Sequence, residues 1–295
     1  MTASGVEPRT VGNPLYRVMR EISALARSNN PEKASWKGVR SAILDATTFL
    51  RLETNQLTAP IRLGKIAKLR HICNTTFFSD RCAPEAILVP VPEGFVIRLP
   101  SGLLEARYRF SIAHEIGHTF FYDLTMSPPV RLIEWKPSGM LSQKEEDICK
   151  AFARDLLLPS GLVDAELEVI SSLSKLDLLL HLARRFIVSA ECAVIRLLWD
   201  LSRFETVVVV FRDVNTRRTD GSMVRSRRYY GKDIKHPRKD EQKILRLVTD
   251  VIMHGPPFDF LKEIAVQNRD IVSLEWKLTR ALEYRGVFVL LDFHR

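Results

Sequence analysis

The chain has 295 residues, of which 46% are hydrophobic and 27% charged; these are ordinary globular values and exclude a fibrous or disordered chain. Its net charge of +9 can attract nucleic acid, anionic lipid or an acidic protein. The four cysteines form no C-x-x-C pair, and no apolar run approaches the ~20 residues that span a bilayer. Because the N-terminal residues also lack the apolar segment of a signal peptide, we expect a soluble, cytoplasmic protein with no membrane partner.

The N-terminal half predicts helices followed by a small sheet. Apolar residues at helical spacing predict three helices, over residues 14–27, 35–52 and 63–71. Two short segments rich in branched residues, Ala86–Val91 and Gly94–Leu99, predict a β-hairpin. A long helix is expected from Glu105 to Tyr122, and a loop runs from Ser127 to Gly139.

The C-terminal half predicts more helices and then a β-rich, basic region. Helices are predicted over residues 142–157, 173–186, 190–201 and 240–253, and strands over residues 205–214, 223–230, 271–278 and 285–293. The fold class expected is α+β, with a mostly helical core and a small sheet, followed by a smaller α/β domain. The predicted domains are an N-terminal helical segment at 1–59, the core at 60–201, and a basic C-terminal domain at 202–295 with a sensory or substrate-binding role.

The sequence His114-Glu115-Ile116-Gly117-His118 carries the most specific chemistry in the chain. Positions i and i+4 of a helix lie on one face, so His114 and His118 can bind one Zn²⁺. Glu115 points to the neighbouring face, where it can take a proton from water activated by the metal. The residues around the motif are apolar, and burying two histidines and a glutamate without a partner would cost several kcal/mol. Together these features predict a catalytic zinc site.

A catalytic zinc needs a third protein ligand, which we expect on the helix at 142–157. Glu146 falls on the face of that helix that carries its apolar residues, so it is predicted to point inward as the ligand. Glu145 and Cys149 remain alternatives. Glu145 and Asp147 flank this face and are expected to be exposed.

Three stretches of the chain resemble the ImmA/IrrE family of metallopeptidases. They are the active helix at 109–118, the later run at 146–159 that ends in Leu-Leu-Leu-Pro, and the helix pair around 182–197. The resemblance implies a zincin-like fold, zinc held by His114, His118 and Glu146, and Glu115 as the catalytic base. It also implies a protein substrate, a DNA-binding helix-turn-helix repressor, since characterised members of the family cut such proteins.

Two further parts of a peptidase site are left open by the sequence. The donor that stabilises the developing oxyanion could be Tyr122, Tyr108, His181 or Arg184. An extended substrate could pair with the edge of the sheet, and Glu93–Leu99 is the predicted edge because it directly precedes the active helix.

Two other functions are compatible with the same residues. One is a zinc-stabilised binding or sensor module without turnover. The other is a regulator that contacts nucleic acid through the basic segment at 212–243, which includes Arg217, Arg218, Arg225, Arg227 and Arg228.

Overall fold

A computed structural model gives the fold of the chain. It describes residues 13–28, 35–79, 86–133, 140–170, 172–201, 206–217, 223–230, 271–279 and 286–293, with side chains described up to residue 201 except at 140–142 and 199. The chain divides into two compact units, one of Met1–Leu162 with Phe186–Val188, and one of Val163–Arg185 with Ser189–Arg295. The domain limits near residues 59 and 201 stay predictions.

The described part of the chain is mostly helical and contains small sheets, which agrees with the α+β prediction. The helices are α1 (Pro14–Ala26), α2 (Lys37–Glu53), α3 (Leu63–Leu69), α4 (Glu105–His118), α5 (Met140–Leu157), α6 (Ser160–Val169), α7 (Lys175–Phe186) and α8 (Ala190–Ile195). The strands are β1 (Ile72–Phe78), β2 (Ile87–Val91), β3 (Gly94–Pro100), β4 (Tyr122–Asp123), β5 (Val130–Arg131), β6 (Thr206–Arg217), β7 (Met223–Tyr230), β8 (Ile271–Thr279) and β9 (Gly286–Phe293).

Local sequence signals account for the first helices. The Asn13 side chain accepts a hydrogen bond from the Leu15 backbone N–H at 2.8 Å, so the predicted cap of α1 is confirmed. α1 packs against α2, and α2 packs against α5. Ile22 of α1 and Ile43 of α2 are fully buried in the core of this unit.

The first sheet differs from the predicted hairpin in one important way. β2 and β3 pair antiparallel as predicted, but β1, which the sequence analysis missed, pairs parallel to β3 on its other side. The strand order is therefore β1-β3-β2. The prediction that Glu93–Leu99 offers a free edge is wrong, because both edges of β3 are already hydrogen-bonded; β2 lies at the edge instead.

The long predicted helix at 105–122 ends earlier than expected. α4 stops at His118, and Thr119–Phe121 tighten into a 3₁₀ turn. The chain then enters β4, which pairs antiparallel with β5 inside the stretch that was predicted to be a loop. The early stop brings Tyr122 opposite Arg131 in this short hairpin.

In the second unit, the described residues after Leu201 form strands β6 to β9, at the positions where strands were predicted. α6 was missed, and the last predicted helix of the core is divided into α8 and a π-helical turn at Arg196–Asp200. β6 to β9 form an antiparallel sheet in the order β7-β6-β9-β8. The predicted helix at 240–253 lies outside the described residues, so the α/β class of this region stays a prediction. Among the described helices, none combines the length and apolarity needed to cross a membrane.

Candidate metal centre

The site is built where α4 packs against α5. Gly117 permits this packing, since a Cβ atom there would lie only 3.2 Å from the Cα and Cβ atoms of Cys149 and 3.2 Å from Phe152. Cys149 and Phe152 are both fully buried on the face of α5 that α4 contacts. The mid-helix glycine, which costs about 1 kcal/mol relative to alanine, is thus explained by the close approach of the two helices.

Three predicted ligand residues converge on one point. The Nε2 atoms of His114 and His118 are 3.0 Å apart. The two carboxylate oxygens of Glu146 lie 3.2 Å from Nε2 of His114 and 3.3 Å from Nε2 of His118. Both imidazoles are largely buried, and the Glu146 side chain is 40% exposed, so the point of convergence opens to solvent on the side of α5.

The pKa values reflect this clustering. Burial lowers the pKa of His114, which favours its neutral, ligating form. The close contacts with the ring nitrogens of His114 and then His118 hold the pKa of Glu146 well below its ordinary value, so this carboxylate stays ionised.

Glu115 lies beside the two histidines and is buried. A carboxylate oxygen of Glu115 and one ring nitrogen of each histidine all lie within 4.8 Å of one another. Burial raises the pKa of Glu115 to about 7, and the backbone N–H of Leu88 in β2 donates a hydrogen bond to its carboxylate. The carboxyl group can therefore both accept and return a proton near neutral pH.

Glu145 occupies a different place from the one predicted. It was expected to be exposed, but its side chain is only 3% exposed, so that prediction is wrong. Its Oε1 atom accepts a hydrogen bond from Nδ1 of His118 at 2.6 Å, on the opposite edge of the ring from Glu146. Arg131 also donates to both oxygens of Glu145, and these two contacts draw the carboxylate inward.

Cys149, the other alternative ligand, lies behind His118. It is fully buried and groups with His118 and Glu145, with ligand atoms within 4.8 Å of one another. Burial raises the pKa of the Cys149 thiol to about 11, which keeps it protonated at neutral pH. Cys149 groups with His118 but not with His114, whereas Glu146 contacts Nε2 of both histidines, so the geometry favours Glu146 over Cys149.

The donor set fits a zinc ion. Four-coordinate zinc with bonds of 2.0–2.1 Å would separate neighbouring ligand atoms by about 3.3 Å. The three separations between His114, His118 and Glu146 are 3.0, 3.2 and 3.3 Å. Two neutral imidazole nitrogens and one carboxylate are also the ligand types typical of hydrolytic zinc sites.

Comparison with known proteins places this site inside a recognised domain. The model of the Peptidase_M78 family, described as the IrrE N-terminal-like domain, matches residues 84–198. Residues 84–198 are therefore similar to the IrrE N-terminal-like domain. The predicted resemblance to the ImmA/IrrE family is thereby confirmed over the region that holds α4 and α5.

Two other comparisons were made. No curated protein matches the chain. A solved structure, described as a Mycobacterium tuberculosis transcriptional regulator, matches at 15% identity with a TM-score of 0.39, covering 93% of this chain and 80% of that chain.

The four candidate oxyanion donors have different surroundings. Tyr108 stacks on Phe77, with ring centroids 6.2 Å apart, near the start of α4. Tyr122 is buried edge-to-face on Phe95. His181 lies in the other unit, where it contacts Glu166. Arg184, also in α7, is exposed. The choice among these donors stays open.

The predicted basic residues lie outside the IrrE N-terminal-like domain. Arg217 ends β6, and Arg225, Arg227 and Arg228 lie on β7, an edge strand of its sheet. Arg218 lies outside the described residues. The backbone register thus places three arginines along one sheet edge, and their contact with nucleic acid stays a prediction.

Proposed function

We propose that this chain is a zinc-dependent endopeptidase in which His114, His118 and Glu146 hold Zn²⁺ and Glu115 is the catalytic base. The observation that carries the proposal is the convergence of two imidazole nitrogens and a carboxylate within 3.0–3.3 Å, beside a buried glutamate. A bound zinc ion would act as a Lewis acid that polarises the scissile carbonyl and lowers the pKa of water.

Glu115 would move the protons of the reaction. Its carboxylate would take a proton from the attacking water and then deliver that proton to the leaving amine nitrogen. The Leu88 N–H holds one face of this carboxylate, so the side chain is kept beside the histidines and is not free to swing into solvent. This restraint favours one productive position of the base.

The edge of β2 would hold the substrate. β2 pairs on one side with β3, and its Leu88 N–H points the other way, to Glu115. The free edge of β2 therefore faces the site, which suits an extended peptide added as a further strand. Pro90 has the same orientation as Leu88, two residues further along, and offers only its carbonyl at this edge.

The substrate class proposed is a DNA-binding transcriptional regulator of the helix-turn-helix type. Two facts support it: the match to the IrrE N-terminal-like domain and the resemblance of the 109–118 and 146–159 motifs to a family that cuts such proteins.

The test is a cleavage assay on native proteins. The purified chain, loaded with Zn²⁺, is incubated with a native extract of its source organism, and new protein N-termini are mapped by mass spectrometry. We expect new termini in a small set of DNA-binding regulators, absent with Glu115→Gln and absent after chelation. Identical termini with wild type and Glu115→Gln would contradict the proposal.

The cleavage assay, together with metal analysis and a DNA-binding measurement, separates the other two functions. Stoichiometric zinc without any cleavage would favour a zinc-stabilised binding module. A nucleic-acid role for the basic segment predicts DNA binding whose affinity falls steeply as salt rises, because phosphate contacts release counterions. Absence of DNA binding at low salt would exclude that role.

A further inference from the structure

A connected row of three side chains lies behind the metal-facing edge of His118. Arg131 Nη2 donates to Glu145 Oε2 at 2.6 Å and to Oε1 at 2.7 Å. Glu145 Oε1 in turn accepts from His118 Nδ1 at 2.6 Å. The row therefore runs from an arginine on β5, through a carboxylate on α5, to the last histidine of α4.

Burial makes these contacts strong and directional. The Glu145 side chain is 3% exposed and the His118 side chain 14% exposed. A carboxylate so deeply buried is costly unless it is paired and hydrogen-bonded, and Arg131 supplies the opposite charge. The guanidinium of Arg131 also lies 5.1 Å from the centre of the Tyr122 ring, which fixes it from the β4 side of the hairpin.

The contact with Glu145 determines which nitrogen of the neutral His118 ring carries the proton. Since Glu145 can only accept when ionised, Nδ1 of His118 must donate, and the neutral ring then has its lone pair on Nε2. Nε2 is the atom that faces His114 and Glu146. The other histidine lacks this support, because Nδ1 of His114 is buried without a hydrogen-bond partner among the described residues.

We propose that Glu145, held by Arg131, is a positioning residue that fixes the ring orientation and tautomer of His118 for metal binding. The inference rests on the proposed zinc site and extends it, because it explains how the ring of His118 is held ready to bind the metal. Carboxylates in this position typically change metal affinity by about 10–100-fold when removed.

The test measures zinc affinity by competition with a chromophoric chelator. Glu145→Gln and Arg131→Gln are each expected to weaken zinc binding by about 10–100-fold. The double variant is expected to bind about as weakly as either single variant, because both changes break the same row. Asp147→Asn, a neighbouring change on α5 outside the row, is the matched control and should leave the affinity unchanged.

Folding is checked separately, because either single change breaks the ion pair between Arg131 and the buried Glu145. The double variant removes both charges and is expected to keep the helical circular dichroism and the unfolding temperature of the metal-free wild type. A second readout is the ¹⁵N shift of His118 in the metal-free protein, which reports the tautomer. At a pH high enough to leave the ring neutral, we expect the Nδ1–H form in wild type and a mixture of tautomers in the double variant.

The outcomes distinguish this inference from the proposed function. If His118→Ala binds zinc as tightly as wild type, the metal site itself is wrong and both proposals fall. If zinc binding depends on His118 but is equally tight in the folded double variant, the zinc site stands and the positioning role of Glu145 is overturned.

Discussion

Glu115, the proposed catalytic base, is a buried carboxyl group, and its burial disfavours the ionised form that accepts a proton. Burial raises its pKa to about 7, so its ionised form is less favourable in the folded chain than in water. The neighbouring histidines and the Leu88 N–H keep the group in place nonetheless.

Replacing Glu115 with glutamine should separate metal binding from turnover. The amide keeps the shape of the side chain but cannot accept the water proton, so we expect unchanged zinc content and a loss of cleavage rate of about 10²–10⁴-fold. Metal analysis and the rate of N-terminus formation check this. Glu105→Gln, on the first turn of the same helix, is the control and should cleave at the wild-type rate.

Gly117 provides a second prediction about a single residue. An alanine there would gain about 1 kcal/mol of helix propensity, but its methyl group would lie 3.2 Å from backbone and side-chain atoms of Cys149. Overpacking of this kind costs about 1–3 kcal/mol. We therefore expect Gly117→Ala to lower the free energy of unfolding in urea.

The control for that change is Gly64→Ala in α3, where an added Cβ meets nothing within 4 Å. It should leave stability unchanged or raise it by up to about 1 kcal/mol. Equal stabilisation by both alanines would show that the approach of α4 to α5 tolerates a methyl group.

At the scale of elements, the end of α4 is held by a fully buried arginine that follows α3. Arg70 Nε donates to the Thr119 hydroxyl at 3.0 Å, and its Nη2 donates to the Thr119 carbonyl at 3.2 Å. Its guanidinium also lies 4.2 Å from the centre of the Phe120 ring. Burial lowers the pKa of Arg70 to about 10, and it stays charged at neutral pH.

Removing this anchor should loosen the last turn of α4. Arg70→Met keeps the length of the side chain but leaves Thr119 without its donors, so we expect a loss of about 1–3 kcal/mol in the free energy of unfolding. Hydrogen exchange should quicken at the end of α4. Arg62→Met, an exposed arginine just before α3, is the control; the same loss in both variants would contradict a specific role for Arg70.

Helices α1 and α2 could be predicted because their sequences contain local helix signals. The Asn13 cap and the apolar stripes of α1 and α2 are read from neighbouring residues, and the structure confirms those helices. β1 was missed because it is parallel to β3, and such pairing joins segments without a hairpin turn between them. The end of α4 was misplaced because Phe120 and Phe121 are apolar and fit a buried helix equally well.

The same reasoning explains what was missed at the site. His114, Glu115 and His118 follow from one helical spacing, so their proximity could be predicted. The burial of Glu145 could not be predicted, because it depends on an ion pair with Arg131. Arg131 lies on β5, in a segment whose sequence is typical of a loop, and the pairing of β5 with β4 is not visible in the sequence. Glu146 was predicted from the face of α5, and the structure brings it to both histidines.

At the scale of the whole molecule, the candidate metal centre links α4 to α5, two helices that belong to one unit. An ion that binds only the folded chain stabilises it by mass action, by about 4 kcal/mol when free metal is at 1,000 times the dissociation constant. Chelation should therefore lower the unfolding temperature of the wild-type protein.

Calorimetry with and without chelator checks this expectation. His118→Ala should unfold at the same temperature in both conditions, since it lacks one of the proposed ligands. A wild-type protein that unfolds at one temperature regardless of chelator would contradict the presence of a metal cross-link between α4 and α5.

Pro90, on the edge strand β2, is expected to disfavour pairing between copies of this protein. An exposed sheet margin with a full row of donors and acceptors is a template on which copies of a protein can stack into aggregates. At this margin the donor of Leu88 is engaged by Glu115, and Pro90 has none to offer. A substrate peptide that pairs here, as proposed, must supply the amide donors itself. The same lack of donors makes this edge a poor template for fibril growth.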